Sequence, residues 1–249
     1  PATSAWTYAH ELGRLHLEQT FPEEVTTECY ENLTRDLAEK AIADAIQKGC
    51  NIIFTTTPEF VQASVQAAIA HPEVKILNCS LNTSHRYIRT YYARMYEAKF
   101  LMGAIAGAMA ENGQLAYIAD YPIFGTIANI NAFALGAKMV NPRAQIYLEW
   151  STLKDVDLGI AMDNVIKKGV TVVSGRDMVI PEDASRYFGL YHIEKEGPRN
   201  LAMPLWHWGK FYEQLIRTIM DGTWKYDDNK DETKAINYWW GLSAEVIDV

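Results

Sequence analysis

Short apolar runs alternate with longer amphipathic stretches along most of the chain. Asn-Ile-Ile-Phe at 51–54 is a β-rich run after Gly49, and it meets the polar Thr55, Thr56 and Thr57 before Pro58. A helix over 59–70 follows from Phe60, Val61, Val65 and Ile69 sharing one face, with Pro58 in the first turn. The same reasoning predicts strands at 74–77, 115–118, 145–150 and 170–173, and helices at 95–110, 125–139 and 155–168. Gly113, Asn141-Pro142 and Gly169 punctuate them.

This βα alternation predicts an α/β fold with parallel sheets covered on both faces. Ligands of such sheets bind beyond the carboxyl ends of the strands. That rule selects Thr55, Thr56 and Thr57 after one strand, Asp120, Tyr121 and Pro122 after another, and Ser174, Arg176 and Asp177 after a third. The C-terminal part reads differently. A helix over 204–220 opens on Trp206, His207, Trp208, Phe211 and Tyr212, a charged surface loop covers 227–234, and 238–241 and 246–249 are predicted to pair as terminal strands. No solenoid-type repeat is visible.

Composition narrows the function. A formal net charge of -8, with Lys167-Lys168 as the one adjacent basic pair, disfavours nucleic acid as a partner. The 3 cysteines, Cys29, Cys50 and Cys79, show no CxxC spacing and read as reduced or buried thiols. The apolar run at 100–110 is about half of the ~20 residues that a membrane span needs, so it reads as a buried helix. Residues 1–20 lack the basic start and apolar centre of a signal peptide. Gly103 and Gly107 form a GxxxG that permits close helix packing.

No GxSxG, HExxH, GxxxxGK[ST] or GxGxxG motif is present, and His10 and His16 lack the i, i+4 spacing of a metal pair. The expectation is a binding protein with no cofactor, no metal and no enzymatic role. Asp177 with His192 is the one acid–base pairing on which an enzyme reading could draw, and no motif supports it.

With 7 Trp and 14 Tyr, the chain is aromatic-rich, and Trp6, Tyr8, Tyr92, Tyr121, Phe124 and Trp208 fall near predicted strand ends or helix starts. Aromatics so placed can sandwich a flat ligand while Thr56, Thr57 and Asp177 satisfy its edge. For any single one of them a core role is the favoured reading; for the whole group it is not.

Several stretches together resemble the basic membrane protein (BMP) family of type I periplasmic binding proteins, which includes purine nucleoside receptors. They are AWTYAHELGR (5–14), NIIFTTT (51–57), YYARMYEAKFLMGAIAGAM (91–109), IADYPIFGTIANINAFALGAKMVNPRAQI (118–146), WHWGKFYEQLIRTIMDGTWK (206–225) and YWWGLSAEVIDV (238–249). The resemblance implies two Rossmann-like lobes joined by a hinge, an N-terminal lobe of 1–92 plus 204–230 and a C-terminal lobe of 93–203 plus 231–249. It implies trapping of a purine-like nucleobase or nucleoside for ABC-type uptake or sensing, with an ABC permease or a fused domain as partner. By position Trp6 matches the family's first stacking aromatic, Tyr121 and Trp208 match aromatics lining the cleft, and Asp177 matches a polar residue after a C-lobe strand. An extracytoplasmic home, as a lipoprotein or periplasmic protein, is also implied, whereas unpaired cysteines fit a reducing compartment and a cytoplasmic sensor. The family's first strand is absent from this sequence, and its acidic ligand segment stands as Gly189-Leu190-Tyr191-His192. That departure is the basis of an alternative, a regulatory or interaction domain with an altered cleft.

Overall fold

The computed structural model describes residues 4–81, 87–120, 124–151, 158–177, 186–224 and 236–249. In chain order the first elements are α1 (Ala5–Thr20), α2 (Ala38–Gln47), β1 (Ile52–Thr55), α3 (Val61–Ala70), β2 (Lys75–Cys79) and β3 (Arg89–Ala93). There follow α4 (Met95–Met109), β4 (Gln114–Ala119), α5 (Phe124–Val140), β5 (Gln145–Trp150), α6 (Leu158–Lys167) and β6 (Val172–Ser174). The chain ends with β7 (Leu190–Glu194), β8 (Gly197–Ala202), β9 (Leu205–Trp206), α7 (Trp208–Met220), β10 (Asn237–Trp240) and β11 (Ile247–Asp248). These form two compact units. One joins Thr7–Ala93 to His207–Trp240; the other joins the described residues up to Trp6 to Arg94–Trp206 and Gly241–Val249.

The first unit is built on a sheet in the order β1-β2-β3-β10, with every neighbouring pair parallel. Strand alternation divides its side chains between two faces. Ile53 and Ile76 meet Ile42 of α2 and Val65 and Ala68 of α3. On the other face Phe54 and Tyr91 meet an aromatic layer in which Tyr91 stacks on Phe211 at 4.8 Å and Phe54 meets Tyr212 at 4.3 Å. Leu17 of α1 and Leu215 of α7 are also buried in this unit.

The second unit holds a five-stranded sheet in the order β5-β4-β6-β7-β8. Leu115, Tyr117 and Ala119 of β4 pack with Met102 and Ala106 of α4 and Phe133 and Ala137 of α5. Ala116 and Ile118, pointing the other way, pack with Ala161 and Val165 of α6. Helices therefore cover both faces, which is why these strands read as nearly continuous apolar runs. Gly169, with φ +74, ends the α6 segment and lets the Val170 amide return to the Val165 carbonyl. The GxxxG of α4 is used for packing. A Cβ at Gly103 would stand 2.0 Å from the Phe133 carbonyl oxygen, and one at Gly136 of α5 would stand 2.0 Å from that of Phe100.

The architecture is mixed α/β with parallel sheets, as the alternation predicted, in two units, as the resemblance implied. Five details differ from the sequence reading. β7 runs antiparallel to β6 and to β8, so this sheet is not wholly parallel. The terminal strands do not pair with each other: β10 joins β3 in parallel, and β11 joins β9 antiparallel. Pairing partners are long-range and leave no trace in local pattern. Residues 237–240 consequently belong with the first unit rather than with the second. The final long helix starts at Trp208, because Leu205 and Trp206 are spent on β9. Helices α1 and α2 and strand β3 lie outside the predicted set; α1 opens at Ala5 and carries Trp6 in its first turn.

Candidate functional site

Parallel strands place their carboxyl ends on one side of a sheet, and each unit gathers polar side chains there. In the first unit β1 delivers Thr55, Thr56 and Thr57, and β2 delivers Asn78 and Ser80. Thr55 is buried, with its hydroxyl 3.0 Å from that of Ser64 on α3. Asn78 Nδ2 donates to Thr55 Oγ1 and to the Thr57 carbonyl, both at 2.8 Å. A carbonyl can only accept, so these bonds fix the amide with Oδ1 as a free acceptor. Thr57 caps the following turn, its Oγ1 accepting from the Glu59 amide at 3.4 Å. Asn78 thus staples the Thr56-Thr57 loop to β2. Its own Oδ1, and the hydroxyl of Ser80, are buried without a hydrogen-bond partner among the described residues. An orphaned buried acceptor costs about 1–3 kcal/mol, so this corner favours any group that brings a donor.

In the second unit Asp120 follows the end of β4, Ser151 follows β5, and Asp177 stands three residues beyond the end of β6. Ser151 Oγ donates to Asp120 Oδ1 at 2.7 Å. Asp177 is paired with Lys99 Nζ, which also donates to Ser174 Oγ at 3.2 Å and lies 5.0 Å from the centre of the Tyr117 ring. Lys99 is completely buried, whereas the Asp177 side chain keeps 21% of its surface exposed. Burial raises the Asp177 carboxyl above its ordinary value; the Lys99 ammonium opposes that shift and Asp120 adds to it.

The sequence-predicted residues fare differently. Thr56 and Thr57 stand together at the end of β1, and Asp177 stands at the end of β6 beside Ser174. Trp6 is half-buried in the first turn of α1 and meets Trp206 edge-on, centroids 5.4 Å apart at 77°. Tyr8 is half-buried on the same helix. Tyr92 lies on β3, half-buried, and its phenol is pushed up to about 12 by burial. Trp208, only 1% exposed, stacks on His10 at 4.6 Å and meets Tyr91 edge-on, so it forms part of the aromatic core of the first unit. Tyr121 lies outside the described residues, and Phe124 is described only as the first residue of α5.

The residues that sequence reasoning missed are Asn78, Ser80 and Lys99. Lys99 did leave a signal, because it shares the stripe Met95, Lys99, Met102 and Ala106, whose other members are apolar and buried. A lysine inside such a stripe demands a buried partner. Asn78 and Ser80 left none, lying just where an apolar run turns polar.

Among the described residues no group of His, Cys, Asp and Glu could hold a metal ion, and no helix is long and apolar enough to cross a membrane. Cys29 is exposed, Cys50 half-exposed and Cys79 buried, none in a disulfide.

Comparison with known proteins gives this site a context. The chain is 27% identical to a purine-binding protein of Brucella abortus (strain 2308), over 99% of this chain and 71% of that one. It is 25% identical to a putative ABC transporter glucose-binding protein of Haloferax volcanii, over 89% of this chain and 59% of the relative. An ABC transporter solute-binding protein from Conexibacter woesei has the same fold, with a TM-score of 0.68 at 13% identity, covering 98% of this chain and 84% of that one. A transcriptional activator of the comK gene from Bacillus halodurans also shares it, with a TM-score of 0.69 at 14% identity, covering 98% and 85%. Residues 2–181 match the family described as ABC transporter substrate-binding protein PnrA-like, and the chain belongs to this Bmp family of solute-binding proteins.

Proposed function

We propose that this chain binds a purine nucleobase or nucleoside for ABC-type uptake or sensing outside the cytoplasm. The observation that carries the reading is the alignment with the Brucella purine-binding protein over 99% of the chain. The chemistry of the candidate side chains agrees with it. Trp6 supplies a flat aromatic face, and base–aromatic stacking contributes about 1–3 kcal/mol per base. Asp177 supplies an acceptor for N–H or O–H groups, while Thr56 and Thr57 supply hydroxyls that both donate and accept. Tyr8, Tyr92, Tyr121 and Phe124 are further lining candidates. Trp208 acts from within the core, by holding α7 against α1.

A sugar is the second reading, because of the Haloferax relative; aromatic faces and carboxylates serve a hydroxyl-rich ring as well as a base. Calorimetric titration with adenine, adenosine, guanosine, inosine and glucose separates the two. Heat and a change in tryptophan fluorescence are expected with at least one purine. Binding of glucose alone, or of none of the five, refutes the purine reading.

A further inference from the structure

A lysine with no exposed surface is expensive. The desolvation penalty of an ion in a protein interior is several kcal/mol, and it is tolerated where a counter-charge and hydrogen bonds replace the water. Lys99 meets both conditions at the carboxyl end of β6 in the second unit. Its three N–H directions are accounted for by Asp177 Oδ1, Ser174 Oγ and the face of the Tyr117 ring. The close approach of α4 to α5 at Gly103, one turn further on, fixes the backbone that carries it.

Asp177 is held asymmetrically by this arrangement. One carboxylate oxygen is occupied by the buried ammonium. The side chain still reaches the surface, with 21% of it exposed, and no described residue is seen to donate to the second oxygen. We infer that Lys99 is the positioning residue of this strand-end site: it clamps one oxygen of Asp177 and supplies the counter-charge that keeps the group anionic, so that the other oxygen is offered to hydrogen-bond donors on an uncharged ligand. This rests on Asp177 being a ligand contact, as proposed above. It goes further by making the recognised group a donor edge, such as a base N–H or a sugar hydroxyl, and by disfavouring an anionic group at that point.

Among the described residues the charged and titratable neighbours are few. Asp120 follows β4 and pushes the Asp177 carboxyl up, Tyr117 on β4 faces the ammonium, and Arg176 precedes Asp177 in the chain. Burial also acts upward, so Lys99 is the group that opposes protonation. Without it Asp177 would take up a proton at higher pH and turn from acceptor to donor.

The test uses the whole chain, with Lys99→Met, Asp177→Asn and the double variant beside the wild type. Carbon-13 NMR follows the Asp177 carboxyl through a pH titration without ligand, and calorimetry follows adenosine, guanosine and inosine over the same range. The Asp177 midpoint is expected to rise by about 1–3 units in Lys99→Met. Nucleoside affinity is expected to fall by about tenfold or more below the new midpoint and to recover above it. Identical midpoints in the two proteins overturn the clamp. So does a Lys99→Met affinity that equals wild type at every pH. If Lys99→Met does not fold, the double variant decides: with no carboxylate left to position, it should bind as Asp177→Asn does, and a clear difference between the two overturns the clamp. If no nucleoside binds the wild type while the midpoint still moves, the purine reading falls and the clamp stands.

Discussion

His10 gives the first unit a measurable sensitivity to acid. Its ring is 5% exposed, stacked on Trp208, with Nδ1 2.6 Å from the Tyr212 hydroxyl. Burial lowers its ionisation to about 3, against roughly 6.5 in an unfolded chain. The folded state therefore tolerates the neutral imidazole and resists the cation. Stability from this group is fully present above about pH 6.5, and it declines as pH falls towards 3 because the unfolded chain takes up a proton that the folded chain refuses. At 1.36 kcal/mol per unit, the loss is about 2 kcal/mol at pH 5 and about 4 kcal/mol at pH 3. Other acids titrate over part of this range. The Glu11 and Glu213 carboxyls are held below their ordinary values by the Arg14 guanidinium and the His16 ring. The decisive quantity is accordingly a difference between proteins. Urea unfolding of wild type and His10→Gln, followed by tryptophan fluorescence at about pH 7.5 and about pH 5, isolates it. The variant will be less stable at the higher pH, having lost the stack on Trp208. Its further loss on acidification should be smaller than that of wild type by about 2 kcal/mol. Equal acid losses in the two proteins would refute the assignment of a buried neutral imidazole.

Trp6→Ala should weaken nucleoside binding by about 1–3 kcal/mol, the contribution of one stacked base, with little change in melting temperature; calorimetry and a thermal melt read the two effects separately. Unchanged affinity would remove Trp6 from the site. Gly136→Ala should destabilise the second unit by about 3 kcal/mol or more. Its Cβ would meet backbone, not the end of a flexible side chain, at 2.0 Å. Melting should fall by several degrees, roughly 2–4 °C per kcal/mol for a chain of this size. Gly169→Ala is a useful contrast, since nothing lies within 4 Å of its Cβ position and its penalty comes only from the positive φ.

Much of this fold is legible in local pattern, and the reason is the buried parallel sheet. Strands such as β4 are covered on both faces, so their residues are apolar without interruption and stand out against the amphipathic helices between them. The rule for strand ends then leads directly to Thr56, Thr57 and Asp177. Helix α1 is harder to read because its aromatic and charged residues are mixed, and only His10, Gly13 and Leu17 are fully buried. The pairing of β10 with β3 and of β11 with β9 has no local signature either.

The site shows the same division. Sequence by itself determined the residue types at each strand end, the acidic balance of the chain, and the family, through motifs spread along nearly the whole chain. Tertiary structure alone decided what each side chain is free to do. Trp208 was one aromatic among several until packing closed it inside a layer with His10 and Tyr91. Asp177 was an isolated acid until α4 brought Lys99 against it from 78 residues away in sequence. Type and periodicity are properties of neighbouring residues, whereas burial, counter-charge and the orientation of an acceptor depend on groups brought together only when the chain folds.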